Sequence, residues 1–176
     1  MIYADHAATT KISETAKLAM LSAMEKDWYN PSSLYTPGQQ ASGTLMDARV
    51  RIAHCLGCLP KEIYFTSGGS EADNQAILSA AAIGKRQGKM HIISTAFEHH
   101  AVLHTLKKLE KEGFEITLLD VGEKGIVSPA QVEKAIRPDT ALVTVMYANN
   151  EIGTIQPIRE IGAICRKNGV LFHTDA

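Results

Sequence analysis

From Glu62 onward the chain alternates short apolar runs with longer amphipathic ones, and this alternation limits its fold more than any other feature. The short runs read as strands at 63–66, 90–95, 115–119, 141–147 and 170–174. The segments between them read as helices at about 71–87, 100–112, 129–136 and 157–167. The stops are chemically sensible. Gly88, Gly113 and Gly169 fall where a left-handed residue closes a helix. Ser128-Pro129-Ala130-Gln131 has the form of a capping box, and Pro157 opens the last helix. The run Leu142-Val143-Thr144-Val145-Met146 is apolar on both faces, as a central parallel strand must be. Strands and helices in this order form an α/β fold, three layers deep, with a mostly parallel sheet between helices.

Before residue 62 the pattern is helical. Ser13 is positioned to cap a helix carrying Leu18, Met20, Leu21 and Met24 on a broad apolar face. Pro31 and then Thr36-Pro37-Gly38 break the pattern, and a long helix runs from about 39 to 55.

Ligands of open α/β sheets collect outside the C-terminal ends of the strands. Those ends carry Ser67-Gly68-Gly69-Ser70, then Glu98-His99-His100, then Asn149-Asn150-Glu151, then Asp175. The first group lies between a strand and a helix. Orphan backbone N–H groups and the positive end of a helix dipole make such a turn an anion site, and glycines allow close approach. The same loop also reads as an ordinary strand–helix turn with Ser70 as its N-cap. It matches neither the P-loop nor the dinucleotide-binding glycine pattern, so a smaller phosphate-bearing ligand is favoured over a nucleotide. Asp175 ends a mostly apolar strand and is either solvated or paired with a cation, such as a protonated aromatic nitrogen. His99 could lie flat on a planar ring, or simply cap its helix. A phosphate at one end, a ring nitrogen at the other and a flat face between them describe pyridoxal 5'-phosphate.

The segments Asp5-x-Ala7-Ala8-Thr9-Thr10, Asn30-Pro31-Ser32-Ser33, Phe65-Thr66-Ser67-Gly68-Gly69-Ser70-Glu71-Ala72-Asp73-Asn74, Glu98-His99-x-Ala101-Val102-Leu103, Asn149-Asn150-Glu151-Ile152-Gly153-Thr154 and His173-Thr174-Asp175-Ala176 span nearly the whole chain. Together they resemble the pyridoxal-phosphate cysteine desulfurases, in the branch serving iron–sulfur assembly and nitrogenase maturation. The resemblance implies the large domain of a fold type I transferase, incomplete on its C-terminal side. Residues 1–15 would pack near the active-site entrance, together with 30–33. Residues 16–176 would form the first part of the cofactor-binding domain. Gly69 and Ser70 would bind the cofactor phosphate, His99 would stack on the ring and help move protons, Asn150 would reach the ring hydroxyl, and Asp175 would hold the ring nitrogen. The implied reaction removes sulfur from L-cysteine, leaving L-alanine and an enzyme persulfide. A homodimer and a sulfur-accepting or iron–sulfur scaffold partner are implied as well.

His6 stands where that family often has Asn, and Ser70 where it often has Thr. The family's cofactor-bearing lysine, sulfur-accepting cysteine and substrate-binding arginine all come after the position of Ala176. The expectation is therefore that these 176 residues do not make a complete enzyme alone, and that strand 63–66 lacks its sheet neighbour. Lys61, Lys85, Lys89 and Lys107 read as solvated, and Cys55, Cys58 and Cys165 as small apolar residues near the core. A non-catalytic scaffold and a selenocysteine lyase are the alternatives.

A net charge of −1 disfavours nucleic acid as the main partner, and no apolar run approaches about 20 residues, the length of a membrane span. No metal site is expected from three irregularly placed cysteines. No basic, apolar leader is visible, so the expected location is cytoplasmic.

Overall fold

The computed structural model describes residues 2–176, which divide into two compact units meeting between Phe65 and Thr66. The first unit is helical. Helix α1 (Glu14–Lys26) begins at Ser13, whose Oγ accepts the Ala16 N–H at 3.2 Å. None of its residues is buried, and Leu18, Met20, Leu21 and Met24 all face solvent. Helix α2 (Thr36–Leu56) starts three residues earlier than expected. Thr36-Pro37-Gly38 forms its first turn rather than a break, because proline there gives up only an N–H that has no helical partner. Gly57, with φ 68°, closes it.

The expected strand 63–66 belongs to no sheet among the described residues. A 3-10 turn (Pro60–Glu62) leads into an extended Ile63, and the Arg49 guanidinium donates to the Ile63 carbonyl in place of a strand neighbour. The same guanidinium lies 4.9 Å from the centre of the Phe65 ring. Cys55 is exposed and Cys58 partly so, against the expectation of burial; only Cys165 is buried.

The second unit alternates as the sequence predicts: α3 (Gly69–Arg86), β1 (His91–Thr95), α4 (His100–Lys111), β2 (Glu115–Leu119), α5 (Pro129–Ala135), β3 (Thr140–Thr144), α6 (Ile158–Lys167) and β4 (Leu171–His173). The four strands are parallel, in the order β2-β1-β3-β4. Strand β3 stops earlier than expected, but its continuation stays tied to the end of β4 and the residues just after it. Val145 N–H donates to the His173 carbonyl at 3.1 Å, and Tyr147 N–H to that of Asp175 at 2.7 Å.

Side chains alternate across the pleat. Ile92 and Leu142 face one side, packing with Ile77 of α3 and Val102, Leu106 and Leu109 of α4. Ile93 and Val143 face the other, with Val132 of α5 and Ile161 and Cys165 of α6. Helices thus cover both faces, which is the expected three-layer α/β arrangement. Helix α3 approaches β3 so closely that a Cβ on Gly84 would stand 2.4 Å from the Cβ of Ala141. Gly88, Gly113 and Gly169, at φ 72°, 96° and 63°, end α3, α4 and α6 as read from the sequence.

Candidate functional site

Strand β1 has β2 on one side and β3 on the other, so the connections leaving β1 and β3 run in opposite directions. This opens a crevice at the C-terminal ends of β1 and β3, the usual ligand position in such sheets. Glu98 and His99 follow β1, Asn149 and Asn150 follow β3, and Asp175 follows β4.

The head of α3 forms one wall. Gly68 is the N-cap, in an extended conformation, and Ser70 lies inside the first turn rather than capping it. The first N–H groups of the helix have no acceptor within it. Glu71 Oε2 accepts both the N–H and the Oγ–H of Ser67, each at 2.6 Å, and these bonds hold its carboxyl below the ordinary value. They also fix the loop ahead of Gly68. A Cβ built on Gly68 or Gly69 would meet nothing within 4 Å, so the chain itself does not fill the space in front of these backbone groups.

His99 is the N-cap of α4. Its Nδ1 accepts the Ala101 N–H at 3.2 Å, which places the proton of the neutral ring on Nε2. Its ring is exposed and lines two cavities, each of about 390 Å³. One also takes in Glu98, Asn149 and Asn150; the other takes in Ser70, Asn74 and Lys108. His99 therefore stands between the α3 loop and the Asn149-Asn150 turn. Asp175 is half-buried, and one ligand atom each from Asp73, His99 and Asp175 lie within 4.8 Å of one another. The structure thus brings His99 against Asp175, with Ser70 and Asn150 lining cavities that share the His99 wall.

Asn150 is exposed, and its Nδ2 donates to Glu151 Oε1 at 3.1 Å. Its neighbour Asn149 builds the turn. Buried Asn149 donates from Nδ2 to the Phe97 carbonyl at 3.1 Å and accepts the N–H groups of Glu151 and Ile152 at 2.9 and 3.0 Å. This ties the loop after β3 to the loop after β1.

Three further groups received no role from the sequence. Glu98 Oε1 accepts from Thr95 Oγ1 at 2.6 Å and from the Met146 N–H at 3.1 Å, while its buried Oε2 has no partner. Burial, above all, pushes its carboxyl up to about 7, with Asp175 and Asp73 adding to the rise. Asp73, on the inner face of α3, is raised to about 6, by burial first and by Asp175 second. His173 Nε2 lies 3.4 Å from Asp73 Oδ1, and its Nδ1 is 2.8 Å from Thr144 Oγ1. Burial lowers the His173 pKa, with Asp175 pulling the other way. The available signal was charge in the wrong place: a carboxylate three residues after Ser70 on an inward face, and a histidine inside an apolar strand.

The donor set fits pyridoxal 5'-phosphate. It offers helix-terminal N–H groups with open space before them, a flat imidazole, and a carboxylate for a ring nitrogen. The aminotransferase class-V family matches residues 2–176. A cysteine desulfurase IscS of Methanosarcina thermophila is 50% identical over 175 residues, covering 99% of this chain and 43% of the relative. A solved NifS-like protein superposes with a TM-score of 0.92 at 36% identity, over 98% of this chain and 47% of that one. A structure described as SspA in complex with cysteine gives 0.92 at 40% identity, over 99% of this chain and 50% of that one. The chain spans about half the length of the relatives it matches. With the crevice, its carboxylate and its open helix terminus lying along a match that runs from residue 2 to residue 176, this chain belongs to the aminotransferase class-V family.

Proposed function

We propose that the crevice holds pyridoxal 5'-phosphate and that the protein carrying this chain is a cysteine desulfurase. The observation that carries the reading is the meeting of His99 and Asp175 at the sheet's C-terminal end, beside the open head of α3. The N–H groups of Gly69 and Ser70 hold the phosphate, with the helix dipole favouring its charge. Asp175 holds the ring nitrogen as a cation, His99 lies on the ring face, and Asn150 reaches the ring hydroxyl. When bound, the cofactor supplies an electron sink for a carbanion on the substrate. His99 carries its proton on Nε2, away from the helix cap it makes with Nδ1, so that proton is free to move toward a reacting group.

The overall conversion takes L-cysteine to L-alanine. The substrate C–S bond breaks, a C–H bond forms in its place, and the sulfur joins an enzyme thiol as a persulfide destined for iron–sulfur cluster assembly. The relative from Methanosarcina thermophila bears the desulfurase name over 99% of this chain, and the SspA neighbour was solved with cysteine bound. The working protein is a cytoplasmic homodimer. Among the described residues no helix is long and apolar enough to cross a membrane.

The test is L-alanine release from L-cysteine by the whole protein supplied with pyridoxal 5'-phosphate. Asp175→Asn is expected to lower the rate by at least about a hundredfold, as loss of a main electrostatic contact does. Undiminished turnover in that variant would remove Asp175 from the site, and no turnover by the wild type would remove the desulfurase reading.

A further inference from the structure

We propose that Asp73 is a second carboxylate at the cation-binding end of the crevice, a positioning residue that makes the hold on a ring nitrogen at Asp175 depend on pH. The proposal rests on the reading of the crevice as a pyridoxal 5'-phosphate site. Asp73 sits on the same helix as the phosphate-binding turn, three residues beyond Ser70. It is nearly out of water, at 5% exposure, yet an oxygen of its carboxylate lies within 4.8 Å of Asp175 and of His99. His173 of β4 stands behind it, 3.4 Å from Oδ1, and is held from its other side by Thr144. The charged and titratable groups around it are His173 on β4, Asp175 beyond β4, His99 at the head of α4 and Glu98 from the loop after β1.

Two carboxylates this close, one of them buried, do not both stay ionised without a positive charge between them. In the free protein below about pH 6 the charge is supplied by a proton. Burial and then Asp175 raise Asp73 to about 6. A ring-nitrogen cation seated against Asp175 supplies the charge instead, and the Asp73 proton leaves. Binding of that cation is therefore opposed by the bound proton below about pH 6 and freed of it above. Asp73→Asn fixes the neutral state and removes this dependence.

The experiment measures pyridoxal 5'-phosphate affinity, by the cofactor's absorbance change, in the whole protein and in its Asp73→Asn variant between about pH 5 and about pH 8. The ratio of the variant's Kd to the wild type's is expected near one at the acid end. It should rise toward about tenfold at the alkaline end, a factor of ten for each pH unit by which the bound cation lowers Asp73. The ratio cancels titration of the cofactor's own phosphate and ring. Carboxyl-carbon NMR of the wild type gives a second readout that needs neither activity nor a stable variant. Asp73 should titrate near 6 in the cofactor-free protein and lower once cofactor is bound. A flat ratio, or an Asp73 midpoint at its ordinary 3.8 in the free protein, overturns the proposal. Binding with a flat ratio overturns this proposal alone; absence of binding to the wild type at any pH overturns the cofactor reading and this proposal with it.

Discussion

Replacing Glu98 by glutamine should flatten the pH dependence of folding stability. In the folded chain Glu98 keeps its proton up to about pH 7, whereas its ordinary value is 4.5. Between those values the folded state binds more protons than the unfolded one, so stability falls as pH rises. Below 4.5 both states hold the proton, and above about 7 neither does and the full cost of an ionised buried carboxylate is present. At about 1.4 kcal/mol per pH unit the whole window is worth at most about 3.5 kcal/mol. Asp73 acts with the same sign between 3.8 and about 6, and His173, whose pKa burial lowers, acts with the opposite sign below 6.5. Both remain in the variant, so the difference between the two proteins reports Glu98 together with its coupling to Asp73. Glutamine keeps an oxygen for Thr95 and the Met146 N–H, but it places an NH₂ where Oε2 has no partner, at a cost of about 1–3 kcal/mol at every pH. The variant should therefore be the less stable protein near about pH 5 and should regain up to about 3 kcal/mol relative to the wild type by about pH 8. Urea unfolding of both proteins across that range measures it. Parallel stability curves would refute a protonated Glu98 and the burial argument behind it.

Gly84→Ala should destabilise the second unit by about 1–3 kcal/mol, because its Cβ would overlap that of Ala141 at 2.4 Å and α3 would have to lift off β3; thermal unfolding reads this directly. Asn149→Ala should cost about 1–3 kcal/mol by stranding the Phe97 carbonyl and the Glu151 and Ile152 N–H groups, and hydrogen exchange at 150–154 should quicken while that at β1 does not.

The alternating core was legible because each strand and helix of the second unit carries its own signal: the glycines at 88, 113 and 169, the Ser128–Gln131 cap and the apolar run before Met146. Strand 63–66 was legible in local sequence only as an extended preference; that it would lack a neighbour came from the resemblance, because local sequence does not report what is there to pair with it. Here Arg49 takes the Ile63 carbonyl. The outward face of α1 escaped for a related reason: periodicity shows that a stripe exists, not what covers it. In the site, His99 and Asp175 were visible as chemistry-bearing residues at strand ends. Asp73, Glu98 and His173 were hidden because their importance comes from burial and from one another. Neither exists until β1, β3, β4 and α3 are assembled.

The most direct measurement is a crystal structure of the whole protein with pyridoxal 5'-phosphate. The phosphate should sit on the N–H groups of Gly69 and Ser70, the ring against His99, and the ring nitrogen within about 3 Å of an Asp175 oxygen, the length of a charge-assisted hydrogen bond. Cofactor bound elsewhere, or seated at α3 with its ring turned away from Asp175, would contradict the account.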